Sequence, residues 1–261
     1  GEPVIVEAGF EQNFKMTPEQ FEAAITPKTR MLILCSPSNP TGSVYSEEEL
    51  RGLAEVIKRH EGLYVLADEI YEHINYVGKH SSIAHIEGMR ERTIIVNGVS
   101  KAYAMTGWRI GFIAAPEWIV KGCNKLQGQY TSGPCSVSQK AAEAAYTTSQ
   151  ECVETMRKAF ERRRDLIVEL AKDIPGLEVN KPEGAFYLFP KCSSFFGKSY
   201  NGKKIENSTD LAMFLLEVGH VATVGGDAFG DPYCFRMSYA TSDDNIREAM
   251  KRIKDTLALL A

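Results

Sequence analysis

Long hydrophobic runs, paired cysteines and a surplus of charge of either sign are all missing from this sequence of 261 residues. No apolar stretch approaches the roughly 18–20 residues that a membrane-crossing helix needs, so an integral helical membrane protein is excluded. The six cysteines, Cys35, Cys123, Cys135, Cys152, Cys192 and Cys234, form no Cys-x-x-Cys pair and have no histidine at ligand spacing. That usage fits reduced thiols and a cytoplasmic setting, and it argues against a disulfide scaffold and against a zinc site; no metal is expected. Thirty basic against 34 acidic side chains leave a net charge of −4. Nothing in that balance draws the chain to nucleic acid or to a membrane surface. Repeats, low-complexity tracts and disordered linkers are absent as well. The sequence also has no initial methionine: it opens at Gly1 and enters Val4-Ile5-Val6 directly, without the pattern of a signal peptide. It reads as a piece of something longer. What is present, 44% hydrophobic and 10% aromatic residues, suffices for a sizeable core in one large domain or two smaller ones.

Short apolar runs and amphipathic stretches alternate over the first 115 residues. The runs at 4–8, Met31–Cys35, 63–67, 93–96 and 110–114 are rich in Val, Ile and Leu. Near-continuous runs of this kind suit strands buried on both faces of a mostly parallel sheet. Between them, Thr17-Pro18-Glu19-Gln20 is a capping box with proline at the first helical position. Ser46-Glu47-Glu48-Glu49 is a second, opening an apolar pattern at Leu50, Leu53, Ala54 and Ile57. Strands alternating with helices predict an α/β fold. After Ser136 the texture changes. One long helix is expected to about Lys172, then short strands at 177–180, 185–189, 221–224 and 234–239, with helices capped by Ser208 and Ser242. Residues 1–150 are expected to form a large domain and 151–261 a smaller C-terminal α+β domain.

Four segments carry side chains suited to chemistry. Ser36-Pro37-Ser38-Asn39-Pro40-Thr41-Gly42 is a tight turn just after a predicted strand, where open α/β sheets bind ligands; Asn39 can both donate and accept. In Leu63-Tyr64-Val65-Leu66-Ala67-Asp68-Glu69-Ile70-Tyr71, a carboxylate ends a buried strand and needs either a helix terminus or a cationic ligand as partner. Tyr71 follows Asp68 by three residues, the spacing of one helical turn. In Val99-Ser100-Lys101 through Thr106-Gly107-Trp108-Arg109-Ile110-Gly111, a desolvated Lys101 with Arg109 close by would be a competent amine nucleophile. Ser100 and Arg109 are the donors that a phosphate asks for. In Cys234-Phe235-Arg236-Met237-Ser238-Tyr239-Ala240, alternation puts Arg236, Ser238 and Ala240 on one face. There Arg236 wants an anion, either a structural Asp or Glu or a substrate carboxylate.

In order and spacing, N-P-T-G, D-E-I-Y, S-K-x-x-x-x-T-G-W-R-I-G and F-R-M-S-Y resemble the class I aminotransferases, pyridoxal-phosphate enzymes of the aspartate aminotransferase fold (fold type I). The resemblance covers essentially all of the chain. It implies that Lys101 forms the Schiff base with pyridoxal 5'-phosphate and later shuttles the proton. It implies that Asp68 pairs with the protonated pyridine nitrogen, that Tyr71 and Asn39 bond the phenolic oxygen, and that Ser100 and Arg109 hold the phosphate. Arg236, assisted by Asn39, would clamp the substrate α-carboxylate, and the Asn39–Pro40 peptide would be cis. The implied reaction moves an amino group from an amino acid, with aspartate the leading choice, to a 2-oxo acid such as 2-oxoglutarate. A homodimer is implied for the full-length form. The five histidines show no catalytic spacing and are expected to be surface or packing residues.

The match begins partway into the family's pattern. The glycine-rich phosphate segment, the aromatic residue that stacks on the pyridine ring, the tyrosine that reaches the partner subunit's phosphate and the N-terminal helix are all missing, so a fragment of a longer enzyme is expected. Related enzymes often carry proline where Gly225-Gly226 stands, and the pair is expected to loosen the backbone there. Two alternatives remain open on sequence: a lyase using the same cofactor, and a non-catalytic aminotransferase-like domain serving as the ligand sensor of a transcription regulator.

Overall fold

Capping chemistry starts the first two helices where the sequence predicts. The computed structural model describes residues 1–261. At α1 (Pro18–Ala24), Thr17 Oγ1 accepts the Gln20 N–H at 3.3 Å while Gln20 Oε1 accepts the Thr17 N–H at 2.9 Å. Ser46 and Glu49 repeat this reciprocal pair at α2 (Glu47–Arg59), at 3.2 and 2.7 Å. Each pair satisfies two amide donors that a helix start leaves open. Leu50, Leu53, Ala54, Val56 and Ile57 of α2 enter a core shared with Leu34, Leu63, Val65, Ala67, Ile83 and Ile86.

The sheet that this core supports is mixed and mostly parallel. β1 (Met31–Cys35), β2 (Tyr64–Asp68) and β3 (Thr93–Gly98) run parallel, and β4 (Gly111–Ala114) is antiparallel to β3, in the order β1-β2-β3-β4. The register pairs Cys35 with Asp68 and Asp68 with Val96. The carboxyl ends of three adjacent strands therefore lie side by side, and the three chemistry-bearing loops leave from them. Two expectations fail here. Residues 4–8 form no strand, and Val4 and Ile5 are 68% and 76% exposed. β1 and β4 are the sheet's edges and are not buried on both faces: Ile33 is 72% exposed, and Phe112 is exposed too.

α3 (Glu117–Tyr130) buries none of its residues. The single helix expected from Ser136 to Lys172 is two, α4 (Ser136–Thr147) and α5 (Glu151–Lys172). At the break, the Thr147 and Thr148 hydroxyls donate to the carbonyls of Glu143 and Ala144 at 2.8 and 2.7 Å, and the Gln150 amide donates to Ala145 O and Thr148 O. The Thr148 N–H still reaches Ala144 O, but Thr148 turns to extended backbone and the Gln150 side chain takes Ala145 O, the next carbonyl that a continuing helix would use. No helix is long and apolar enough to cross a membrane.

Farther along come β5 (Tyr187–Leu188), a hairpin of β6 (Ser199–Tyr200) and β7 (Lys203–Lys204), α6 (Ser208–Glu217), β8 (Val224–Gly225), β9 (Phe235–Ser238) and α7 (Asp243–Leu257). β5, β9 and β8 make an antiparallel sheet in that order. The strand expected at 177–180 is reduced to one bridge between Glu178 and Lys191, and that at 221–224 to Val224 alone. Ser242 caps α7 as predicted. At α6 the cap is Asn207, not Ser208: Asn207 Oδ1 accepts the Asp210 N–H at 2.9 Å. Ser208, displaced into the helix, accepts the Gly226 N–H and donates to Asp227 Oδ2, both at 3.0 Å.

The chain divides into two compact units. One holds residues 1–6, 15–37 and 44–157; the other holds 7–14, 38–43 and 158–261. In place of a single cut at 150, two short N-terminal segments belong with the C-terminal residues.

Candidate active site

In the first unit, Asp68 is the last residue of β2 and Lys101 lies three residues beyond the end of β3, so both leave neighbouring parallel strands at their carboxyl ends. Asp68 is half-buried; its Oδ1 accepts the Ile70 N–H at 3.2 Å, and no lysine, arginine or histidine pairs with it. A carboxylate in that setting is suited to a cation that arrives with a ligand. Tyr71 is only 3% exposed. Two consecutive turns carry it, closed by Glu72 N to Glu69 O at 2.9 Å and Ile74 N to Tyr71 O at 2.8 Å, where the sequence spacing suggested a helix. Lys101 Nζ lies 5.7 Å from the centre of the Tyr71 ring, within cation–π range. Amine and phenol therefore share one locality.

Ser100 and Arg109 are brought together by the base of their loop. Gly98 and Gly111 are register partners on β3 and β4, and Ser100 and Arg109 each sit two residues out from that pair. A Cβ on Gly98 would meet Ile110 O at 2.7 Å and Gly111 Cα at 2.9 Å, so the loop closes only with glycine there. Sequence reasoning missed Gly98; its position at the strand end was the available signal. Ser100 is half-buried and Arg109 exposed. Arg109 adopts left-handed backbone (φ 56°), and its Nη1 donates to Thr106 O at 3.0 Å. The rest of its five-donor fork is left to an anion.

The second unit contains Asn39 and Arg236. The Asn39–Pro40 peptide is cis, as the resemblance implied, and so is Ser36–Pro37. Gly42 closes this turn at φ 70°; its carbonyl accepts the Glu183 and Gly184 N–H groups at 2.8 Å, and a Cβ would meet Pro182 Cβ at 2.6 Å. On β9 the alternation holds: Phe235, Met237 and Tyr239 are buried, and Arg236, Ser238 and Ala240 are not. Arg236 Nη1 donates to Asn39 Oδ1 at 2.9 Å. Its guanidinium carbon lies 4.8 Å from the Tyr187 ring centre and 4.7 Å from that of Phe229. No aspartate or glutamate pairs with it. Of the two anions that the sequence allowed, the structural carboxylate is the one not found. Tyr187 and Phe229, which hold the guanidinium in plane, carried no sequence signal beyond being aromatic.

Gly225-Gly226 is tight, not loose. Gly226 N–H donates to Cys234 O at 2.9 Å as well as to Ser208, and a Cβ there would fall 2.0 Å from Asp231 O. Close backbone approach requires this glycine.

The model of the family described as aminotransferase class I and II matches residues 1–253. The chain is 48% identical over 99% of its length to a bifunctional aspartate aminotransferase and glutamate/aspartate-prephenate aminotransferase from Petunia hybrida, covering 55% of that protein. It is 48% identical to an aspartate/prephenate aminotransferase from Cereibacter sphaeroides, with 97% and 64% covered. The crystal structure of the aspartate aminotransferase from Rhizobium meliloti superposes with a TM-score of 0.96 at 45% identity, covering 100% of this chain and 66% of that one. An aromatic aminotransferase from Pyrococcus horikoshii gives 0.91 at 40% identity, with 99% and 68% covered. The chain thus spans between about half and two thirds of the length of the curated relatives it matches. With the fold type I architecture of those structures and the family match running almost end to end, this chain belongs to the class I and II aminotransferases.

Proposed function

We propose that this chain is the larger part of a pyridoxal-phosphate-dependent aminotransferase that moves the amino group of aspartate to a 2-oxo acid such as 2-oxoglutarate. Aminotransferases of this family use pyridoxal 5'-phosphate, and the donor set fits it. A carboxylate without a cation partner suits the ring nitrogen, an amine beside a buried phenol suits the aldehyde and phenolic oxygen, and a hydroxyl plus a guanidinium at one loop base suits the phosphate. When bound, the cofactor supplies a cationic ring that accepts the electron pair left as the α proton departs.

The chain's own residues do the rest. Asp68 keeps the proton on the ring nitrogen, and Tyr71 bonds the phenolic oxygen. Lys101 Nζ would hold the cofactor's aldehyde carbon and, as a free amine, carry the α proton, so no separate histidine base is needed. Arg236 grips the α-carboxylate through its planar fork, with Asn39 and two aromatic rings fixing that plane. Aspartate as donor rests on the names of the relatives; two of them are named for prephenate as well, and prephenate, itself a 2-oxo acid, is the second acceptor to assay. The resemblance supports a homodimer for the full-length enzyme, and the unpaired cysteines support a cytoplasmic setting.

The observation that carries the reading is that Asp68, without a cation partner, and Lys101 both leave the carboxyl ends of adjacent strands. Incubation with pyridoxal 5'-phosphate, borohydride reduction and peptide mass mapping should place the label on Lys101 and on no other lysine to a comparable extent. Lys101→Ala should lose it. Labelling spread over surface lysines, with Lys101 unmarked, would overturn the assignment.

A further inference from the structure

The turn that delivers Asp68 and Tyr71 also presents a second set of side chains that the transamination chemistry does not use. Glu69, the residue after Asp68, is 5% exposed. One of its carboxylate oxygens accepts from Ser82 Oγ at 2.6 Å, and the other lies 3.2 Å from His80 Nε2. Glu72, from the same turn, accepts from Asn97 Nδ2 at 2.7 Å. Both ring nitrogens of His80 are buried, and neither makes a hydrogen bond of proper geometry. One ligand atom from each of Glu69, Glu72 and His80 falls within 4.8 Å of the other two. A cavity adjoins them, lined by Leu34, Leu50, Ile83, Asp68, Glu69 and His80.

We propose that Glu69, Glu72 and His80 bind a divalent transition-metal ion. Two carboxylates converge on His80, whose buried ring nitrogens make no hydrogen bond, and the His73 ring stands 3.4 Å from Glu72 Oε1. A dication would balance both carboxylates at once and give the orphaned ring nitrogen a ligand's role. One imidazole and two carboxylates form a nitrogen-and-oxygen donor set suited to Mn²⁺, Fe²⁺ or Zn²⁺. Ser82 and Asn97, each donating to one carboxylate, supply the outer hydrogen bonds that orient metal ligands. Glu69 and Glu72 stand three apart in a turn, but His80 comes eight residues later from an irregular stretch, and no Cys/His ligand spacing links them, which is why the sequence predicted no metal. The ion would tie residues 77–82 to the turn carrying Tyr71, a structural role independent of transamination.

The test uses the whole chain, stripped with a chelator and with its thiols alkylated so that cysteines do not compete. Mn²⁺ uptake is followed by loss of the free-ion electron paramagnetic resonance signal, and Zn²⁺ uptake by calorimetry. One saturable equivalent is expected, accompanied by a rise in the thermal midpoint. His80→Ala and the isosteric Glu72→Gln should each weaken binding by about tenfold or more and abolish the midpoint shift. Should His80→Ala not fold, Glu72→Gln decides alone. No saturable uptake of either metal, or unchanged affinity in Glu72→Gln, overturns the site.

Discussion

Backbone amides, as much as exposure, grade the cysteines. Cys135 stands just before α4, where hydrogen bonds from the Ser138 and Val137 amides and the Ser138 hydroxyl hold its thiol below the usual range. Cys192 is pushed up to about 12 by burial and by Asp231 and Asp227, and burial also raises Cys234. Because the thiolate is the reactive form, iodoacetamide at neutral pH should alkylate Cys135 ahead of the exposed Cys123 and Cys152. Cys192 and Cys234 should stay unmarked until the protein unfolds. Mass spectrometry of quenched time points checks the order; a faster Cys123 would refute it. Arg236 is a second case where surroundings decide. In the active enzyme, Arg236→Ala should cost about 2–5 kcal/mol in kcat/KM, as for other charge pairs truncated on one side. Arg236→Lys should recover only part of this, because ammonium neither forks nor stacks between Tyr187 and Phe229. Steady-state kinetics with aspartate reads both, and unchanged kcat/KM would remove Arg236 from the substrate. The positions of Asp68 at the end of β2, of Lys101 just past β3 and of Arg236 on the less buried face of β9 were legible in the sequence, because each lies in a short motif tied to a strand. The two rings flanking Arg236 were not, since nothing local ties Tyr187 or Phe229 to it.

The same contrast separates the elements. The starts of α1 and α2 were legible because a capping box joins residues three apart, and that of α7 because Ser242 is a good cap by itself. The end of α4 was not, because the extended Thr148 and the Gln150 side chain on Ala145 O interrupt the helix without breaking the apolar pattern. Sheet edges were misread for a related reason: an apolar run states what a strand could bury, not whether anything covers it. At the start of α7, hydrogen bonds from Arg162, then Arg163, hold the Asp243 carboxyl below its ordinary value. A depressed carboxyl stabilises the fold fully above its unfolded pKa of about 3.9 and loses that contribution as pH falls through the folded value. Asp243→Asn should therefore lower stability at neutral pH, and the gap from wild type should close as denaturation curves are repeated below about pH 4. A gap that stays constant with pH would show that the pair contributes nothing electrostatic. Glycine supplies a second test. Gly226→Ala should destabilise by about 1–3 kcal/mol or more in urea titrations, whereas a loose loop would tolerate it.

Each unit has its own core, and suitable reporters are already in place. Both tryptophans, Trp108 and Trp118, lie in the first unit, and buried Cys192 lies in the second. Leu211, fully buried on α6, belongs to the second. Leu211→Ala should cost about 2–5 kcal/mol there and move the denaturant midpoint for Cys192 labelling while leaving the tryptophan fluorescence midpoint in place. Equal shifts in both signals would mean that the units unfold as one. The α/β class was visible in the sequence because the mostly parallel sheet is built from consecutive strands and helices. The passage of residues 7–14 and 38–43 into the second unit was not, because neither segment differs in composition from an ordinary connection.

That interleaving governs how the polypeptide can be taken apart. A protease nick between Arg157 and Lys158, the last boundary between the units, yields no intact smaller unit: Arg236 departs on the C-terminal piece, and Asn39 stays on the N-terminal one. Producing that unit by itself would require a rewired gene in which both short stretches are spliced back beside the C-terminal part.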